Sequence, residues 1–488
     1  MRPACGVAYH EPGAETMTRD ERSLRCHPDS QAPARGQRAP GLKLALLGVA
    51  SASIEWYDFL LYAVASALVF PRVFFPPTLP PLVALIASFS TFAVGFVARP
   101  IGGVLFGHMG DKRGRKRALS LALIIMGAAT TIIGLLPSYE SSGAFSPLVL
   151  VAMRFLQGLA VGGQWGGAIL LATESAPESS RGWYGSLVQA GVPIGVLLAN
   201  LALLAVNALT SPAAFIAYGW RIPFLLSIAL VGFGVYLEYR VEDTAAFRRL
   251  TPTAAAGASR AEPGDASSLE TQMQGASRSP VVEALRRYPG RILIAAGAYI
   301  STPLTFYLLV TYVIAYATGS QHLARGTVLA AQLIASAAII PVTFLAGRLS
   351  DRYGRRPLFM AGVALSGLWA FALFPLVDTR SFAGLTVALL AGSTWTSLSY
   401  GPLAAMFTEL FDTRLRYSAA SLAYQIGTLF GAALGPIIAT LLYEKYRSNV
   451  PVSIYMASVC ALSLSIARML EETRRAAVTT RLQDRLEH

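Results

Sequence analysis

Four ionisable side chains stand inside long apolar stretches of this 488-residue chain: Glu55, Asp58, Arg99 and Arg154. The first two belong to ASIEWYDFLLY, residues 52–62, within an apolar run from Leu42 to Phe70. Their spacing puts them on one helix face, which Ser51 and Tyr62 extend. Burial disfavours the charged form of a carboxylate, and a second carboxylate nearby disfavours it further. A pair so placed can load a proton on one side of a barrier and release it on the other. An arginine arriving or leaving would bias that exchange. Arg99 and Arg154 can therefore neutralise these carboxylates, or bind an anion with the planar guanidinium fork. Ionisable groups at such depth face a cavity or a bundle interior and mark proton or substrate paths. Structural ion pairs that lock a bundle are the plainer alternative.

Such side chains need elements that hold them away from water, and the composition supplies them. The chain is 54% hydrophobic and 14% charged, against about 25% charged in soluble proteins. Twelve apolar runs follow one another: 42–70, 82–106, 118–136, 147–173, 184–207, 221–239, 291–317, 327–346, 357–376, 382–407, 417–443 and 451–470. Runs of this length, near the ~20 residues that cross a bilayer, predict transmembrane helices. Glycine is frequent inside them, as expected where helices pack closely in lipid. Pro193 in the fifth run and Gly401–Pro402 in the tenth suggest bends.

The formal charge of +13 is topological. With alternating helices and both termini on one side, that side carries 32 of the 40 Lys and Arg residues. Six lie on the other side, and Arg99 and Arg154 lie within spans. By the positive-inside rule the rich side is cytoplasmic. This distribution argues against a nucleic-acid partner. Cys5, Cys26 and Cys460 are too few and scattered for a metal site or disulfide framework. No nucleotide-binding motif stands in a strand–helix context, and no nucleophile–base set points to an enzyme. The sequence thus calls for no cofactor, and a gradient or a second subunit must drive whatever is moved.

The chain also repeats itself. GHMGDKRGRKR at 107–117 and GRLSDRYGRR at 347–356 share Gly107, Asp111, Gly114 and Arg115 with Gly347, Asp351, Gly354 and Arg355. A second echo pairs Glu174, Arg181 and Ser186 with Glu409, Arg416 and Ser421. Two parallel six-helix halves explain both, and they divide the chain into five parts. These are a polar tail at 1–41, a bundle at 42–240, a cytoplasmic linker at 241–290, a second bundle at 291–470 and a tail at 471–488. The first tail reads as disordered, with Met17 an alternative start, and residues 281–291 as an amphipathic helix at the membrane face.

These blocks carry a family resemblance. The G-x-x-x-D-x-x-G-R element in both halves resembles the loop motif of the major facilitator superfamily. EWYDFLLY, ARPIGGVLFGHMGDKRGRKRAL, RFLQGLAVGGQWGGAILLATESAP, RGWYGSLVQAGVPIGVLLAN and YGWRIPFLLSIALV stand in order. Together they are similar to the metabolite:proton symporter family, which includes bacterial shikimate, alpha-ketoglutarate, citrate and proline/betaine transporters. The resemblance implies an all-α membrane protein of twelve transmembrane helices in two pseudo-symmetric six-helix bundles. It also implies a monomer in the bacterial inner membrane, importing a small organic acid or related metabolite, anionic or zwitterionic, together with protons. A proton-coupled exporter and an uncoupled facilitator remain alternatives. In the superfamily the loop motifs are implicated in a cytoplasmic latch, a role that falls to Asp111 and Asp351 in this chain. Where relatives read G-G-E-W-G-G, this chain has GGQWGG, so Gln164 stands where a titratable glutamate is usual. Coupling would then be lost or moved to Glu55 and Asp58. Candidate substrate contacts near mid-span are Trp165, Gln189, Tyr307, Trp395, Tyr400 and Gln425. The 18-residue C-terminal tail is too short for the coiled coil of osmosensing relatives.

Overall fold

The computed structural model describes residues 38–113, 115–162, 169, 173, 176, 178–240, 280–412 and 415–473. Gln164, Trp165, Glu174, Gly114 and most of both predicted tails and of the linker lie outside the described residues. So do the side chains of Asp111 and Arg115. Residues 1–43 form a unit apart from 44–488, described only at 38–43, where the first helix begins.

A helix lies on each of the twelve apolar runs. In chain order they are α1 (Arg38–Leu68), α2 (Pro81–Arg113), α3 (Arg115–Leu135), α4 (Phe145–Gly162), α5 (Arg181–Leu209) and α6 (Arg221–Arg240). The second half holds α7 (Pro289–Gly319), α8 (Arg325–Tyr353), α9 (Arg355–Asp378), α10 (Phe382–Tyr400), α11 (Ser418–Tyr446) and α12 (Val450–Ala467). In hydrocarbon every backbone N–H and C=O must be satisfied within its own segment, which is why each apolar run closes into a helix. Their surfaces are inverted relative to a soluble protein. Leu148, Leu201, Ile228, Leu293, Leu368 and Leu462 are exposed, while Ser66, Thr130, Gln157, Asn200 and Gln332 are buried.

The bends differ in part from expectation. The tenth helix breaks at Gly401–Pro402 and resumes as Leu403–Glu409. The sixth is preceded by Pro212–Gly219, bent 44° from it through a π-helical turn at Phe215–Gly219. A similar turn, Leu308–Tyr312, interrupts α7 just after Tyr307. The short helix Pro280–Arg287 forms within the segment predicted to be amphipathic, burying Ala284. Beside it Tyr288 Oη donates to Asp412, and Arg287 stands 3.9 Å from the same carboxylate.

Two packing features position the site. The first is the α2–α4 seam. A Cβ on Gly158 would lie 2.2 Å from Gly95 O, and one on Gly162 would lie 2.0 Å from Arg99 O. No larger residue fits there, so the backbones touch and Arg99 on α2 is drawn close to Arg154 on α4. The second is contact across the halves through α5–α8 and α2–α11. These pairs are equivalents under the internal repeat.

Candidate functional site

Arg99 and Arg154 are 1% and 0% exposed, and rings take the place of water around them. The Phe59 ring lies between the two, its centroid 4.3 Å from Arg99 Cζ and 3.9 Å from Arg154 Cζ. Phe96 and Trp56 stand 4.5 and 5.8 Å from Arg99, and Tyr62 and Phe92 stand 4.2 and 4.6 Å from Arg154. From the second half Tyr307 closes the cage, 5.3 Å from Phe96 and 5.5 Å from Phe92. The Nε and Nη2 atoms of both arginines and the Tyr307 hydroxyl hold no hydrogen bond. Among the described residues no carboxylate reaches either guanidinium.

Magnitudes say what this cage can do. Taking a cation out of water costs several kcal/mol even after relaxation. Each desolvated cation–π contact returns about 0.5–2 kcal/mol. The rings make the burial of two cations tolerable without supplying the charge or the acceptors that they lack. An anion entering between the halves would supply both.

The carboxylates part company. Asp58 is fully buried and turned toward α3 and α6, where the hydroxyls of Ser227 and Thr130 face it. Neither of its oxygens holds a hydrogen bond of normal geometry. Those hydroxyls are directed along their own helices, Thr130 to Met126 O at 2.9 Å and Ser227 to Pro223 O at 3.5 Å. Half-buried Glu55 lies instead within electrostatic reach of Tyr424 in the second half. Positions three apart diverge by about 60° around a helix, enough to send one side chain inward and the other to the interface. Tyr62, grouped with them by spacing, bonds Thr91 at 2.7 Å and lies under Arg154.

Arg154 reaches toward Asp58 through neutral groups. Its Nη1 donates to Gln157 Oε1 at 3.0 Å, and Gln157 Nε2 donates to Thr130 Oγ1 at 2.8 Å. Sequence reasoning singled out neither Gln157 nor the ring set of Phe59, Phe92 and Phe96. The available signal was RFLQ, which places Arg154 and Gln157 on one helix face.

Between the halves lies a narrow cavity of about 40 Å³, walled by Trp56 and Pro193 on one side and by Tyr299, Tyr307, Tyr400 and Tyr424 on the other. Thr302, Thr396 and Thr428 add hydroxyls. Trp56 and Tyr307 also belong to the arginine cage, so the two spaces share a wall. Gln189 crosses the interface, donating to Tyr400 O at 3.3 Å. Gln425 is buried with its amide unpartnered, but neither it nor half-buried Trp395 lines the cavity.

The repeated loop motif is described in full in the second half. Asp351 Oδ1 and Oδ2 accept from Gly182 N at 2.9 Å and Trp183 N at 2.8 Å, the first turn of α5. A carboxylate is favoured at a helix start by the unpaired N–H groups and the dipole. Arg355 grips Asp351 at 2.6 Å and Glu409 at 3.4 Å, so the arginine comes from Asp351's own half. Gly354 takes φ +109, and a Cβ there would meet Glu472, which accepts from Arg355 N and Arg356 N. Gly347 packs so tightly that a Cβ would lie 2.4 Å from Ser186 Cβ. Arg416 Nε donates to Phe411 O at 3.1 Å, and Arg181 is half-buried at the start of α5.

Known proteins resemble the chain along nearly all of this framework. Residues 44–475 match the model of the sugar (and other) transporter family. The shikimate transporter of Escherichia coli K12 is 36% identical over 440 residues, which are 89% of this chain and 95% of that one. The proline/betaine transporter of the same organism is 32% identical over 442 residues, 90% and 84% of the two chains. Among solved structures, the partially occluded inward-open xylose transporter XylE of E. coli superposes with a TM-score of 0.66. It is 18% identical, across 89% of this chain and 98% of that one. A D-xylose–proton symporter gives 0.67 at 16% identity, across 88% and 98%.

Proposed function

Since the chain belongs to the sugar (and other) transporter family of the major facilitator superfamily, we propose that it imports a small organic acid by proton symport. Membership makes it a transporter and not an enzyme, with twelve transmembrane helices in two six-helix bundles. One observation carries the finer reading: two fully buried arginines share an aromatic cage, and among the described residues no acid neutralises them. A carboxylate substrate supplies what is missing, reaching the arginines past Trp56 and Tyr307 while the tyrosine and threonine wall holds its other end. Asp58 is the proton site, and Glu55 responds at the interface. With the substrate charge neutralised by arginine and the proton held by Asp58, one rocking motion carries both. The 42–240 and 291–470 bundles are the moving bodies, and the basic face is cytoplasmic with both termini.

The test is uptake into proteoliposomes under an imposed pH gradient, with internal pH followed in parallel. The panel comprises shikimate, alpha-ketoglutarate, citrate, other aromatic and dicarboxylic acids, proline and betaine. Accumulation of an acid with matching proton entry supports the reading. Equilibration without proton movement would make this an uncoupled facilitator, and outward pumping an exporter.

The loop motif gives the cytoplasmic latch in this reading. Asp351 joins its own helix to the start of α5, so it must release before that end opens. Asp351→Asn removes a charged acceptor of two backbone bonds, worth about 1.5–3 kcal/mol, and shifts the balance toward the cytoplasm-open state about tenfold or more. The readout is labelling of Ser186→Cys by a bulky thiol reagent in detergent. Labelling should speed up in Asp351→Asn, and an unchanged rate would mean that the contact does not hold the seam.

A further inference from the structure

We propose that Gln157 and Thr130 transmit the coupling between the proton site and the anion site, as positioning residues in one line of hydrogen bonds. This rests on Asp58 being the proton site and the arginines the anion site. Arg154, Gln157 and Thr130 are exposed by 0%, 1% and 0%, so water does not compete along the line. The amide lies with its oxygen toward Arg154 and its nitrogen toward Thr130, whose hydroxyl faces Asp58. That is the orientation in which a dipole links a cation to an anion without their touching.

Thr130 is the element with two arrangements. Its hydroxyl has one proton, donated to Met126 O at 2.9 Å, while its oxygen accepts from Gln157. Turning the proton onto an ionised Asp58 leaves the bond from Gln157 in place. Asp58 then has a donor, the amide is polarised between two charges, and Arg154 is compensated at a distance. When Asp58 takes up a proton the hydroxyl returns to Met126 O, and Arg154 presents its full charge to the cavity. Proton and anion thereby favour each other, and linkage requires the effect to be equal in both directions. No proton crosses the amide. It enters and leaves at the Asp58 carboxylate, and only orientation is passed on.

Among the described residues little else competes for Asp58. Tyr57, on its own helix, lies within electrostatic reach and donates to Pro223 O at 2.9 Å. From α3 and α6 come Thr130 and Ser227, neither ionisable in this range, and from α4 the line that ends at Arg154. Glu55, on the same helix, lies within electrostatic reach of Tyr424 in the second half.

A double-substitution cycle read by infrared spectroscopy tests this without any substrate. The purified full chain in lipid nanodiscs is titrated, and the carbonyl band of protonated Asp58 is identified by its loss in Asp58→Asn. In the native background Arg154→Gln should move the midpoint of that band about tenfold in proton concentration, within the usual range of coupled sites. In a Gln157→Leu background the same change should move it less than about threefold, and likewise in Thr130→Val. The second, nearly isosteric, variant keeps the test decisive if the first fails to fold. A full tenfold shift surviving in either folded background overturns the relay while leaving symport intact. An Asp58 band that does not titrate at all would overturn the proton site and the relay together.

Discussion

Arg154→Gln should lower uptake of the anionic substrate about a hundredfold or more while leaving the protein folded. The expected loss follows from the cage. Removing one partner of a buried, hydrogen-bonded charge pair costs about 2–5 kcal/mol of binding, and each 1.4 kcal/mol is about tenfold. Glutamine keeps the aliphatic stem and a polar amide beside Phe59, Tyr62 and Phe92, ending two bonds short of the Nη1 that donates to Gln157. It also removes an uncompensated buried cation, so the empty transporter should melt at the same or a higher Tm. That pairing of lost function with retained stability separates a binding arginine from a structural one. Arg99→Gln should follow the same pattern, and a substrate without negative charge would be indifferent to both. The check is uptake beside a melting curve. A Tm falling in step with uptake would mean that Arg154 is a strut, and uptake within twofold of the native protein would dispose of the anion site.

Much of this framework is legible in the sequence alone. Each span announces itself because a lipid-embedded backbone has little choice but the helix, and the repeat of Gly347–Arg355 on Gly107–Arg115 shows where the halves correspond. Asp58, Arg99 and Arg154 stand out because charge inside an apolar run is costly and therefore conspicuous. Their surroundings do not. Phe59, Phe92 and Phe96 are indistinguishable in sequence from rings that face lipid, and only the packing of α1 and α2 with α4 turns them onto the arginines. Gln157 carries no charge to mark it, and its partner Thr130 comes from α3, so no local pattern links them. Spacing groups Glu55 with Asp58, yet the sector between them falls across the boundary between bundle interior and interface. Trp165 and Gln164, candidates by motif, lie outside the described residues. The motif assigns Asp351 to a latch without naming the groups that hold it. The partner arginine is Arg355, because the i,i+4 pair on its own chain segment reaches the carboxylate first.

Asp58→Asn should remove proton-driven accumulation while sparing exchange. A proton gradient supplies about 1.36 kcal/mol per pH unit, so one-to-one symport concentrates its substrate about tenfold for each unit imposed. Two units should give the native protein a gradient of about a hundredfold, and Asp58→Asn a gradient near one. Asparagine fits the same space and resembles the protonated acid, in which Arg154 is uncompensated and anion affinity is high. Substrate binding should therefore persist in the variant and lose its dependence on pH. Counterflow, in which loaded carriers exchange without net proton movement, should continue at a substantial fraction of the native rate. Glu55→Gln is the informative companion. A residue within electrostatic reach of Tyr424 in the second half should alter rate or affinity and leave the accumulation ratio standing. Should Glu55→Gln abolish accumulation and Asp58→Asn retain it, the roles of the two carboxylates are reversed, and the proton site belongs at the moving interface rather than inside the first bundle.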